Sequence, residues 1–99
     1  MKIVKTQDGD KTTFALAGRL DTSSAPQLQE QLIPELGEAN TVVLDFAELG
    51  YVSSAGLRVL ILGQKTAKAK GSKQTLVNVS SDIMEVFEMT GFSSVLHIE

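Results

Sequence analysis

The segment Thr41–Phe46, TVVLDF, is β-branched or apolar almost without interruption, and it reads as a central strand buried on both faces. Downstream, from about Ser54 to Ala69, Leu57, Leu60, Ile61 and Gln64 recur at helical spacing on one face. Lys65, Lys68 and Lys70 gather where the C-terminal end of a helix dipole favours cations, and Gly71 is a natural stop. Gln74–Val79, QTLVNV, is then a second strand. A strand, a helix and another strand in succession make a crossover unit. Such a unit requires parallel strands joined by a right-handed connection, with the helix laid on the sheet.

The remaining segments extend this unit. Lys2–Thr6 is a short strand, Gln7–Asp10 is a turn around Asp8-Gly9, and Thr12–Ala17 alternates and pairs back as a hairpin. Gly18–Asp21 is expected to leave the sheet. Thr22-Ser23-Ser24-Ala25-Pro26 has the composition of a helix start, with Leu28, Leu32, Ile33 and Leu36 at helical spacing and Gly37 as the stop. Pro34 should shorten or kink this helix near its end. Ala47–Gly50 reads as a loop. Ser80 or Ser81 caps a third helix, Asp82–Met89, with Ile83, Val86 and Phe87 inward; Thr90-Gly91-Phe92 ends it, and Val95–Ile98 is a last strand. The order β-β-α-β-α-β-α-β predicts an α/β fold. Its mixed, mostly parallel sheet has four to five strands with three helices packed on it, in a single domain over residues 1–99.

Composition excludes several kinds of chemistry. With 42% hydrophobic and 21% charged residues the chain can build one modest, mainly aliphatic core. A net charge of −3 and the lack of an aromatic-basic patch argue against nucleic acid, whose binding rests on Lys and Arg contacts to phosphates. There is no cysteine and only one histidine, so a disulfide, a thiolate nucleophile and a transition-metal site are not expected, and neither is a cofactor. No apolar run approaches the roughly 18 residues of a membrane span, and MKIVKTQDGDK turns polar and acidic too soon for a signal peptide. A soluble cytoplasmic protein is the expectation.

Chemistry is then sought at the junction Tyr51–Leu57, YVSSAGL, where the strongest strand meets the strongest helix. In open α/β sheets ligands collect beyond the carboxyl ends of strands. A serine at a helix start lies beside free backbone N–H groups and the positive end of the dipole, so a phosphate would be well received there. Serine is equally a common N-cap, and Ala55-Gly56 suits close packing of helix on sheet. From the residues alone both readings stand.

The segment Leu44–Ile61, LDFAELGYVSSAGLRVLI, resembles the signature of the STAS domain, the fold of bacterial anti-sigma factor antagonists. Leu16–Leu32, LAGRLDTSSAPQLQEQL, resembles that family's Gly-x-Leu-Asp turn and first helix; Phe87–Ile98, FEMTGFSSVLHI, resembles its late helix and last strand. Aligned on Gly56-Leu57, the family's phosphorylated serine falls on Ser54, the preceding acidic residue on Ser53, the following small residue on Ala55, and the acid of the turn on Asp21. Ser53 departs from the family's Asp and is the second choice of acceptor. The chain also stops at Glu99, where many members carry a further helix.

The resemblance implies an anti-sigma factor antagonist. It binds an anti-sigma factor that is also a serine kinase, is released on phosphorylation of Ser54, and is reset by a serine phosphatase. The chain would then be a substrate, not an enzyme. Asp21, Ser53, Ser54, Ala55, Gly56, Arg58 and Leu62 are the partner-binding candidates. Arg58 and Leu62 are left outward or lateral by the apolar face of the helix, whereas Val59 is expected to pack. Asp21 either holds the junction through backbone N–H bonds or caps the helix after it, and Thr22-Ser23-Ser24 is a plain cap. His97 has no catalytic companion nearby, and Lys65, Lys68, Lys70 and Lys73 read as a solvated face. A rival within the fold is a stand-alone accessory subunit docking on a transporter ATPase without phosphorylation. A nucleophilic enzyme at Ser54 ranks last, because no Gly-x-Ser-x-Gly elbow and no base accompany it.

Overall fold

The computed structural model describes residues 1–37 and 40–99. Strands β1 (Lys2–Asp8) and β2 (Lys11–Leu20) precede helix α1 (Ala25–Glu35), strand β3 (Thr41–Val52), helix α2 (Ser54–Lys70), strand β4 (Lys73–Val77) and helix α3 (Ser81–Thr90). A 3-10 turn, Phe92–Ser94, follows. The sheet runs β1-β2-β3-β4, with β1 antiparallel to β2 and the other pairs parallel. This is the expected mixed, mostly parallel sheet with three helices.

The hairpin turns at Gly9-Asp10, between the paired residues Asp8 and Lys11, one residue later than Asp8-Gly9. Gly9 has φ +63 and Asp10 keeps a negative φ, which suits a type II′ turn with glycine at its first central position.

Both crossovers, β2-α1-β3 and β3-α2-β4, step across the sheet in the same direction. Right-handed connections therefore place α1 and α2 on one face. Phe87 of α3 meets Phe46 of β3 edge-on on that face, at 6.4 Å between ring centroids. The core lies here: Phe14, Leu16, Val42, Leu44, Phe46 and Leu76 from the strands, with Leu28, Leu32, Leu60 and Phe87 from the helices, all essentially without exposure. β3 is consequently not buried on both faces. Val42, Leu44 and Phe46 are buried, but Thr41, Val43 and Asp45 on the helix-free face keep partial exposure.

Ala47–Gly50 is strand, not loop, and Gly18–Leu20 stays in the sheet. β2 and β3 continue together, Gly18 against Leu49 and Leu20 against Val52, through register shifts between Ala15 and Ala17 and between Gly18 and Arg19. These irregularities explain why a period-two reading stops too early. After Phe46 the buried positions are Leu49 and Val52, three residues apart, because each shift inserts an extra residue.

The expected last strand Val95–Ile98 is also corrected. Phe92–Ser94 turns instead, and pairing is reduced to one bridge: Leu76 N–H donates to the His97 carbonyl and Glu99 N–H to the Leu76 carbonyl, both at 2.9 Å. β4 ends at Val77 because Asn78 takes φ +56, where its Nδ2 donates to Asp45 Oδ1 at 2.9 Å. α1 ends at Glu35, one residue past Pro34 and short of the expected Leu36, and closes with Leu36 N–H donating to the Ile33 carbonyl. Gly71 stops α2 with φ +75, as its position suggests.

Candidate functional site

The corner at Ser53–Ser54 is built by the end of β2 as much as by β3. Ser53 N–H donates to the Leu20 carbonyl at 2.8 Å, which ties the start of α2 to the last residue of β2. Ser53 is the N-cap: its backbone is extended (φ −89, ψ 175) and its Oγ accepts from Gly56 N–H at 3.2 Å. Gly56 makes the close seat possible. A Cβ there would lie 2.6 Å from Leu20 Cγ and 2.9 Å from the Leu20 carbonyl oxygen, closer than any real side chain tolerates.

The two serines therefore differ in environment. Ser53 is half-buried and its oxygen is engaged, whereas Ser54 is exposed as the first residue of α2. Among the described residues the Ser54 hydroxyl makes no hydrogen bond. With Gly56 N–H satisfied by Ser53 Oγ and Leu57 N–H by the Ser53 carbonyl, the N–H groups of Ser54 and Ala55 are the free donors of the first turn. No acidic residue sits in that turn, and a 17-residue helix points its positive end at it. The corner favours an anion on Ser54.

Asp21 serves the neighbouring turn. Its Oδ1 accepts from Ser23 N–H (3.1 Å), Ser23 Oγ (2.8 Å) and Ser24 N–H (3.1 Å). The bonds lead into α1 rather than to the Ser53–Ser54 corner, which resolves the alternatives for this carboxylate. The Ser23 hydroxyl first, then the Ser24 N–H, holds the Asp21 carboxyl below its ordinary value of 3.8. Its stabilising contribution is complete above that value and is lost as pH falls through the lowered one. Asp21→Asn should thus weaken the fold at neutral pH and flatten its acid limb below about pH 4, as read by urea unfolding across a pH series.

Ser24 is more than the expected plain cap. It occupies the N-cap position of α1, yet its buried hydroxyl turns back to the strand, donating to the Arg19 carbonyl at 2.7 Å and accepting from Asp21 N–H at 2.9 Å. A neighbouring pair escaped the sequence reading altogether. The Arg19 guanidinium lies 4.2 Å from the centroid of the Tyr51 ring, which is 41% exposed. The only signal was an exposed-type aromatic at the head of YVSSAGL; the register that sets Arg19 beside Tyr51 comes from the two shifted strands.

Arg58 and Leu62 continue along α2 from Ser54 at i+4 and i+8, so the three share one face. Arg58 is exposed and Leu62 is 40% exposed, while Val59 is 5% exposed and packs. Arg58 and Leu62 form a ridge between two shallow grooves of about 270 Å³ each. One lies toward α1 and includes Pro26, Gln29 and Ala55; the other includes Ile61, Lys65 and Phe92. His97 lies elsewhere, against Glu99 at 3.0 Å, and Lys65, Lys68, Lys70 and Lys73 are all exposed. No helix among the described residues is long and apolar enough to cross a membrane.

Residues 3–97 match the family described as "Mlab, STAS domain", and the chain belongs to the STAS family. It is 29% identical over 97 residues to the anti-sigma-B factor antagonist of Listeria monocytogenes, covering 97% of this chain and 85% of that one. It is 30% identical over 83 residues to the anti-sigma-B factor antagonist of Bacillus subtilis, covering 84% and 76%. Among solved structures it resembles the anti-sigma factor antagonist SpoIIAA in its unphosphorylated form, with TM-score 0.82, 18% identity, and 99% and 88% of the two chains covered. Against the Bacillus protein SpoIIAA in its phosphorylated form the TM-score is 0.77, again at 18% identity, with 99% and 91% covered.

Proposed function

We propose that this chain is an anti-sigma factor antagonist whose hold on an anti-sigma factor with serine kinase activity is controlled by phosphorylation of Ser54. The observation that carries this reading is the division of labour at the corner: Ser53 caps α2, leaving the Ser54 hydroxyl exposed and unengaged beside free N–H groups. The names of the relatives from Listeria and Bacillus support the same role.

Unphosphorylated, the exposed run of Ser54, Arg58 and Leu62, with Ala55 in the groove beside it, meets the kinase. Ser53 and Gly56 hold the corner in shape, while Asp21 secures the neighbouring start of α1. The Ser54 oxygen attacks the γ-phosphorus of ATP bound to the partner; the hydroxyl proton passes to a base on the kinase, and ADP leaves. The phosphate adds about −1.5 to −2 charges and three acceptor oxygens. On this chain it is welcomed by the dipole and by Arg58 one turn on, which it draws away from the partner. Across an interface shaped for a neutral hydroxyl it must be desolvated, and a differential of ~3–5 kcal/mol would empty that interface. A serine phosphatase hydrolyses the ester and restores the binding form.

Ser53 is the poorer acceptor because its oxygen is already the cap, a contact worth about 1 kcal/mol. Incubated with the cognate kinase and ATP, the parent and Ser53→Ala should each gain one phosphate by intact-mass spectrometry, and Ser54→Ala none. Phosphate retained by Ser54→Ala and lost by Ser53→Ala would move the acceptor to Ser53. The second reading, an accessory subunit docked on a transporter ATPase, is favoured by Ser53 standing where the family has its acid. Tight binding to such an ATPase with no phosphate from any kinase would select it.

A further inference from the structure

The two edges of the sheet are finished differently. The β4 edge is closed in part by the chain itself, through the bonds of Leu76 with His97 and Glu99. The β1 edge carries no bulge, no proline and no covering segment among the described residues, and six of its seven residues are exposed. Edges of this kind are usually blunted by charge, lysine above all. Of its two lysines, Lys5 at the middle is tied off by an ion pair with Glu35 of α1, and Lys2 stands only at the strand's first position. The Met1 carbonyl is taken by Gln27 Nε2, so the free edge starts at Lys2.

We propose that β1 pairs antiparallel with β1 of a second copy of this chain across a two-fold axis at Lys5, joining the two sheets into one. The hairpin sets which groups are free. Asp8 and Lys11 flank a two-residue turn and form a hydrogen-bonded pair, so Asp8, Thr6, Val4 and Lys2 bond inward to β2. Ile3, Lys5 and Gln7 therefore point their N–H and C=O groups outward. In a two-fold pairing centred on Lys5, Ile3 lies opposite Gln7 of the copy and Lys5 opposite Lys5, each exchanging two hydrogen bonds.

The side chains fit the same register. Val4 faces Thr6, and Lys2 faces Asp8, twice by symmetry, in the closely spaced pairs where opposite charges count most. The like charges at the axis are each already met by Glu35. Centring the axis on Val4 or Thr6 instead sets Lys2 opposite Thr6 or Val4 opposite Asp8 and loses the charge match. This self-complementarity favours a second copy over a foreign strand. No residue of the Val52–Leu57 corner takes part, so each copy keeps its Ser54 surface free. One short strand pair is a small interface, and dissociation constants of about 10 to 1,000 μM are expected.

Sedimentation equilibrium over a concentration series tests the association. The parent should dimerise, Lys2→Glu and Asp8→Lys should each weaken the dimer by about tenfold, since each reverses two cross-strand pairs. The double variant Lys2→Glu/Asp8→Lys should regain it. The register is tested in this cysteine-free chain by single cysteines. Lys5→Cys at the axis should cross-link under mild oxidation, whereas Gln7→Cys, about 13 Å from its own copy, should not. A parent that stays monomeric at the highest reachable concentration overturns the proposal. So does a dimer indifferent to the charge variants, or one in which Gln7→Cys links as readily as Lys5→Cys.

Discussion

Ser54→Asp should bind the anti-sigma partner about a hundredfold more weakly than the parent while leaving stability unchanged or raised by up to about 1 kcal/mol. The carboxylate arrives at the first position of a 17-residue helix with no acid in its first turn and two free N–H groups beside it. That end of a dipole favours negative charge by about 0.3–1 kcal/mol, so the fold does not suffer. Binding does, because a charge placed against a surface fitted to a hydroxyl loses its water without gaining a partner. Arg58, one turn along the same face, is drawn toward the new carboxylate and away from the interface. Titration calorimetry and a thermal melt of the same sample separate the two effects. Unchanged affinity would place Ser54 outside the interface, and a collapsed melting temperature would make it a structural residue.

Gly56→Val should cost about 3 kcal/mol and lower Tm by about 15 °C. The clash is with backbone as well as side chain: a Cβ would fall 2.9 Å from the Leu20 carbonyl oxygen, the acceptor of the Ser53 N–H bond. Relief requires α2 to lift off the end of β2, which breaks that bond and moves Ser54 with it. Partner affinity should therefore fall together with stability, unlike the effect of Ser54→Asp. Combining Gly56→Val with Leu20→Ala should cost clearly less than the sum of the single changes, because the small side chain removes part of the obstruction. Strict additivity in urea unfolding would show that the close approach is not the cause.

Much of the fold was legible because its signals are local. The β-branched run at Thr41–Phe46, the helical spacing from Leu57 to Gln64 and the glycine at position 71 need no long-range information, and they place the first half of β3 and nearly all of α2. Ala47–Gly50 was not legible, since its strand character depends on register shifts with β2, a segment distant in sequence. Val95–Ile98 has strand composition, but the pairing available to it is one bridge to Leu76. Burial of β3 on one face alone follows from strand order, which decides that successive crossovers fall on the same side.

The candidate site divides in the same way. The YVSSAGL stretch by itself determined that a serine-bearing helix start follows the best strand, and the resemblance it carries named Ser54. Only the tertiary structure decided which serine caps and which is free, that Asp21 serves α1, and that Arg19 stacks on Tyr51. It also decided why α2 carries a glycine at position 63. A Cβ there would collide with Gln74 Oε1, and Gln74, fully buried, donates to the Leu60 carbonyl at 3.0 Å. Capping, helical period and turn chemistry act within a few residues and are written in the chain. Close approach, register and the choice of hydrogen-bond partner depend on segments that meet only after the sheet has formed.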